Sequence, residues 1–164
     1  MLFRSANTVI DNVDISTFDI PEASEFTNML KPGGATRCYD TVIERLKAQD
    51  QRIKEAISKL PYAIRGLNPT VTRILYLLTD GEDNQSRTSI RHFQHFIHNQ
   101  KTKHNLKSIF LAANIGDAEI VGRQMGFDSN TCLTIGNNYH FSSNGMASAG
   151  HVTYNMATCL GLDG

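Results

Sequence analysis

The sequence has little of several residue types, and each shortage excludes a class of protein. Its three cysteines, Cys38, Cys132 and Cys159, are too few and too scattered for a disulfide framework or a zinc site. The 16 basic residues balance the 16 acidic residues, so the charge does not indicate nucleic acid or a membrane surface as a partner. No apolar run approaches the length that spans a bilayer.

The same shortages predict where the protein works. The first residues, Met1-Leu2-Phe3-Arg4-Ser5, lack the charged-then-apolar layout of a secretion signal. Unpaired cysteines fit a reducing compartment. We therefore expect a cytoplasmic, intracellular protein. Its 164 residues show no internal repeat and are expected to form one domain over 1–164.

Apolar residues alternate between strand-like and helix-like spacing in the order typical of an α/β protein. We predict two short strands within 1–13 and further strands over 74–78, 106–113 and 131–135. Helices are predicted over 39–60, 86–104 and 116–125, and from 142 onwards. This alternation favours a mostly parallel sheet with right-handed crossovers.

The strand over Ile74–Leu78 is the most informative stretch. Its five apolar residues run without interruption and stop at Thr79-Asp80-Gly81. A short apolar run of this kind predicts a strand that is covered on both faces. Asp80 then lies at the carboxyl end of the strand, which is the edge where open α/β sheets bind ligands.

A second loop, Gly33-Gly34-Ala35-Thr36, leads into the first predicted helix. Thr36 has a purely structural interpretation as the N-cap, with Asp40 opposing the helix dipole in the first turn. Asp80 has one as well, as a cap of the following helix or a turn residue. Both interpretations stay open beside a functional one.

Taken together, the two loops resemble a known family. The segment Gly33-Gly34-Ala35-Thr36-Arg37-Cys38-Tyr39-Asp40 resembles the threonine loop of von Willebrand factor A-type domains. The segment from Ile74 to Asn84 resembles the strand and aspartate loop of the same family, and 111–127 its next strand and short helix. The resemblance implies a Rossmann-like fold, with a mostly parallel sheet and helices on both faces.

The resemblance also implies a function and a site. Members of this family bind protein partners at the carboxyl edge of the sheet, where a metal ion meets an acidic side chain of the partner. Thr36 and Asp80 would be ligands of Mg²⁺ or Mn²⁺, and no residue would be catalytic. The supporting loop residues would be Gly33, Gly34, Asp40, Gly81 and Asn84.

One part of the family pattern is missing. The Asp-x-Ser-x-Ser ligand loop does not occur, and its nearest counterpart, Asp14-Ile15-Ser16-Thr17-Phe18, lies too close to Thr36 for the intervening helix and strands. We therefore expect a partial domain without its first strand and helix, and a weak, incomplete metal site. Strand exchange or homo-oligomer formation would fill the gap in the sheet.

Two other functions remain open. The alternatives to a binding module are a hydrolase or phosphoryl-transfer enzyme that uses Asp80 as nucleophile or metal ligand, and an inactive von Willebrand factor A-type fragment. Against the enzyme, the sequence has no phosphate loop or nucleophile elbow, and Leu78 stands where a paired aspartate would be needed.

Weaker candidates are interpreted structurally. The three histidines of the second long helix are expected on its solvated face, Cys38 as a small buried residue, and Glu82 to Asn84 at the start of that helix.

Overall fold

The computed structural model describes residues 2–4, 7–10, 37–79, 83–113 and 116–135. The helices are α1 (Cys38–Ser58), α2 (Tyr62–Gly66), α3 (Ile90–Lys103) and α4 (Ala118–Gln124), and a single 3₁₀ turn covers Ser129–Thr131. The strands are β1 (Leu2–Arg4), β2 (Asn7–Ile10), β3 (Arg73–Thr79), β4 (Leu106–Ala113) and β5 (Cys132–Ile135). Helices and parallel strands alternate, which confirms the predicted α/β class.

The three later strands form a parallel sheet in the order β3-β4-β5. Arg73 of β3 pairs with Leu106 of β4 and Thr79 pairs with Ala112, so the two strands are in register along the whole of β3. β1 and β2 form a separate antiparallel pair. Because the three strands are parallel, the segments that follow β3 and β4 leave the sheet at the same edge.

Local sequence signals place most of the element boundaries. β4 covers the residues predicted for it, and α4 ends before Gly126, whose φ of +92° favours glycine. α3 begins at Ile90 rather than at residue 86, because the Ser89 side chain accepts a hydrogen bond from the His92 N–H and caps the helix there. The helix predicted from residue 142 lies outside the described residues.

The main core lies on one face of the sheet. β3 and β4 contribute Leu75, Leu77 and Phe110, and the helices pack against them. The buried helical residues of this cluster are Val42, Ile43 and Leu46 of α1, Phe93 and Ile97 of α3, and Ala118 of α4. The two long helices, α1 and α3, and the short helix α4 therefore cover the same face, and the expected second helical layer is not part of the described chain.

The second face of the sheet is covered unevenly. Ile109 and Leu111 of β4 are buried there, but the side chains of β3 on this face are exposed by 36–54%. These are Ile74, Tyr76 and Leu78. The prediction that β3 is covered on both faces is therefore wrong, whereas β4, which lies between two strands, is buried on both.

A buried ion pair joins the amino end of β3 to two helices. The Arg73 side chain is only 2% exposed and forms a salt bridge with Asp50 of α1. It also donates hydrogen bonds to Gln100 Oε1 at 2.7 Å and to the His104 carbonyl at 3.1 and 3.2 Å. Burial lowers the pKa of Arg73, and the Asp50 carboxylate opposes that shift.

Among the described helices, none combines the length and the apolar character that a membrane crossing requires.

Candidate functional site

The predicted site residues fall on two loops that the structure describes in part. Asp40 and Asn84 are described, and the chain is described from Arg37 after the first loop and from Asp83 after the second. The other predicted site residues lie outside the described residues, namely Gly33, Gly34, Thr36, Asp80 and Gly81.

The first turn of α1 is capped from a distant part of the chain. Its N-cap residue is Arg37, which makes no side-chain capping bond. Instead, the Tyr39 N–H donates to Asp83 Oδ2 at 2.8 Å, and the Asp40 N–H donates to Ser86 Oγ at 3.1 Å. The interpretation of Thr36 as the N-cap is therefore wrong, because the helix begins one residue later and takes its capping groups from the segment after β3.

Asp83 is the centre of that segment. Its Oδ1 accepts the Ser86 N–H at 2.8 Å and the Gln85 N–H at 3.3 Å, and its Oδ2 accepts the Ser86 hydroxyl at 2.6 Å. The expectation that Asp83 begins the next helix is wrong, since Ser89 caps that helix. For the same reason, Asp80 is not the residue that caps it.

The Asp40 carboxylate of α1 in turn accepts hydrogen bonds from the segment that precedes α3. Its Oδ2 accepts the Arg87 N–H at 2.9 Å and its Oδ1 accepts the Thr88 N–H at 3.1 Å. The Arg37 guanidinium donates to the same Oδ2 at 3.1 Å. Hydrogen bonds from the Thr88 side chain and the Arg87 backbone hold the pKa of Asp40 well below its usual range, so this buried carboxylate is ionised.

Asp40, Asp83 and Ser86 thus form a reciprocal network between the two loops. Asp83 and Ser86 accept N–H groups from α1, and Asp40 of α1 accepts N–H groups from the segment after Ser86. Sequence reasoning missed Ser86. The Asp-x-x-Ser spacing indicates a local turn, but a single sequence does not show that the turn also caps a helix more than forty residues away.

Cys38 lies beside this network. Burial, with a smaller contribution from the Asp83 carboxylate, raises the pKa of the Cys38 thiol to about 12. A thiol of that kind stays protonated at neutral pH. The interpretation of Cys38 as a packing residue rather than a nucleophile is therefore favoured, and the side chain packs against the main core.

The described residues do not form a metal site of their own. The part of the chain that the structure describes contains no group of three or more His, Cys, Asp or Glu side chains that could hold a metal ion. The oxygens of Asp40 and Asp83 are already occupied by N–H and O–H donors. His92, His95 and His98 are exposed, which confirms the predicted solvated face of α3.

Comparison with known proteins does not identify a relative. No family model matches the chain, and no curated protein or solved structure matches it.

Proposed function

We propose that this chain is a protein-binding module of the von Willebrand factor A type. Its recognition site is the carboxyl edge of the sheet, at Thr36 and Asp80, and the domain is a partial copy of that fold. The partner contributes an acidic side chain. The site has no catalytic residue.

One observation carries the proposal, namely the source of the helix caps around the two loops. The N-cap position of α1 is held by Arg37, and the N–H groups of its first turn are bound by Asp83 and Ser86. The N-cap of α3 is Ser89. The helix-capping roles that the sequence allows for Thr36 and Asp80 are thereby taken by other residues. The reciprocal network also holds the chain directly after Thr36 close to the chain after Asp80, which is what a shared binding site requires.

The metal ion in this proposal is Mg²⁺ or Mn²⁺, held weakly. Mg²⁺ takes about six oxygen ligands and keeps several waters. Thr36 supplies a hydroxyl and Asp80 a carboxylate, and the saturated carboxylates of Asp40 and Asp83 add no further ligand. Water and the partner's carboxylate would complete the shell, so affinity for metal alone is low.

Metal titration tests the proposal. Mg²⁺ or Mn²⁺ is added to the wild type, Thr36→Ala and Asp80→Ala, and the melting temperature is followed by differential scanning fluorimetry. We expect a concentration-dependent rise in the wild type that is lost in both variants. Asp117→Ala is the matched control, because Asp117 follows β4 at the same edge and caps α4 through the Ile120 N–H at 3.0 Å. It should melt earlier but keep the metal response.

The result also separates the other functions. Turnover of p-nitrophenyl phosphate that is lost in Asp80→Ala would favour the hydrolase or phosphoryl-transfer enzyme. An unchanged melting temperature at millimolar Mn²⁺ in wild type and variants alike would overturn the metal-assisted site and favour an inactive fragment.

Strand exchange or homo-oligomer formation belongs to the same proposal. Homo-oligomer formation is supported by the exposed apolar row of Ile74, Tyr76 and Leu78, which lies on one face of the sheet. Light scattering should find the wild type larger than a monomer, and Leu78→Lys should reduce its mass. A wild type that is monomeric at high concentration would contradict this arrangement.

A further inference from the structure

The outer surface of α3 is basic although the chain as a whole is neutral. The helix sequence, Ile-Arg-His-Phe-Gln-His-Phe-Ile-His-Asn-Gln-Lys-Thr-Lys, contains three cationic side chains and three histidines, and it contains no acid. The whole sequence has 16 basic and 16 acidic residues. α3 therefore has a net positive charge, and it begins on the carboxyl side of β3 and runs towards the amino edge of the sheet.

This surface forms one side of a groove. The groove has a volume of about 430 Å³ and lies between α3 and the turn at 126–128. Its lining residues are Arg91, Gln94, His95, His98 and Lys101 of α3, with Gly126, Phe127 and Asp128 opposite.

The turn is packed closely on the helix, so the groove has a fixed second wall. A Cβ atom at Gly126 would lie 3.2 Å from the Gln94 carbonyl oxygen, and the φ of Gly126 is +92°. Lys101 pairs with Asp128 across the base of the groove and donates to the Gly126 carbonyl at 3.5 Å. Glycine is required here because the two backbones approach each other.

The charges in the groove are unbalanced. Asp128 is the one acid among its lining residues, and Lys101 already neutralises it. Arg91, His95 and His98 are exposed and form no salt bridge with any described residue. An anionic ligand in the groove would therefore meet one unpaired guanidinium and the N–H groups of two exposed imidazoles.

We propose that this groove binds an acidic peptide segment of a partner protein. Carboxylate side chains fit the lining, since guanidinium groups bind them through paired hydrogen bonds. Nucleic acid is the alternative: Phe127 is only 4% exposed and offers no face for base stacking, which leaves the His95 and His98 rings for that role. The site is independent of metal and of Asp80.

Fluorescence anisotropy with a fluorescein-labelled hexaglutamate peptide tests the proposal at low and at 0.15 M salt. We expect Arg91→Glu to weaken binding at least about tenfold, since a charge-assisted hydrogen bond is replaced by repulsion. Asp128→Asn should strengthen binding because it removes the groove's acid. Lys47→Glu is the matched control, an exposed lysine on α1 with the same charge change. It should leave affinity within about twofold.

Each other outcome overturns the proposal. No saturable binding by the wild type would do so, as would an equal loss in Arg91→Glu and Lys47→Glu, which indicates a general charge effect. Tighter binding of a hexathymidylate oligonucleotide that is also lost in Arg91→Glu would assign the groove to nucleic acid. EDTA and Asp80→Ala should leave peptide binding unchanged, so that failure here and failure of the metal site are distinguishable.

Discussion

The two ends of β3 are both joined to α1, but by different kinds of contact. At the amino end, Arg73 is buried and forms an ion pair with Asp50 in the fourth turn of the helix. At the carboxyl end, the carboxylate of Asp83 and the hydroxyl of Ser86 accept backbone N–H groups from the first turn. The amino end is joined to α1 by an ion pair, and the carboxyl end by hydrogen bonds from backbone N–H groups to side-chain oxygens.

This difference separates the roles of the two ends. A buried ion pair contributes little net stability, yet losing one partner leaves a buried charge without compensation. Hydrogen bonds to backbone N–H groups instead fix the path of the main chain. The amino end therefore holds α1 and α3 against the sheet, and the carboxyl end sets the conformation of the loops that flank the proposed site.

The largest expected effect is at the amino end. Asp50→Ala should lower the free energy of unfolding by about 3–5 kcal/mol, because Arg73 stays buried without its counter-ion. Urea denaturation followed by circular dichroism measures the loss. Lys54→Ala, an exposed change on the same helix, is the control and should stay within about 0.5 kcal/mol of the wild type. A loss under about 1 kcal/mol for Asp50→Ala would mean that Arg73 does not depend on this ion pair.

At the carboxyl end, Asp83→Ala should lower the free energy of unfolding by about 2 kcal/mol, because Tyr39 N–H and the Ser86 groups lose their acceptor. The same variant should lower the metal response if the network positions the loops. A double-mutant cycle with Asp40→Ala should give a coupling energy above about 0.5 kcal/mol. Additive losses would show that the two carboxylates act separately.

The pH dependence of stability in Asp40→Asn tests the role of the ionised carboxylate at the carboxyl end. The amide keeps one acceptor, so we expect a loss on the order of 1 kcal/mol at pH 7. Because the pKa of Asp40 is lowered in the folded state, its stabilisation is present above the unfolded pKa, near 4, and is lost as the pH falls further. The difference between wild type and variant should therefore shrink between about pH 5 and pH 2. A constant difference across that range would contradict the assignment.

The smallest effect is expected where a helix is capped locally. Ser89→Ala should lower the free energy of unfolding by about 0.5 kcal/mol, at the low end for an N-cap, because this cap is exposed and its hydrogen bond is 3.3 Å long. The change should be additive with Asp40→Ala and leave the metal response intact. Strong coupling to Asp40 would show that the segment from Asp83 to Ser89 behaves as one unit.

Much of the fold was predictable because its signals are local. The apolar run of β4, the glycine that follows α4 and the 3.6-residue spacing of Phe93 and Ile97 each act within a few residues. The candidate site was predictable only as two loops. Their connection through Asp83 and Ser86 was not, because its hydrogen bonds join residues 44 and 46 positions apart.

The sequence by itself determined the order of the described strands and of α1, α3 and α4, but not the short helix α2. It also determined the parallel α/β class and the solvated histidine face of α3, since periodicity and turn residues encode them. Only the tertiary structure decided which face of β3 is covered and which groups cap α1. It also decided that Arg73 is buried against Asp50 and that the basic side of α3 forms a groove with the turn at 126–128. The physical reason is that burial, capping and charge pairing depend on residues that meet only after the chain has folded.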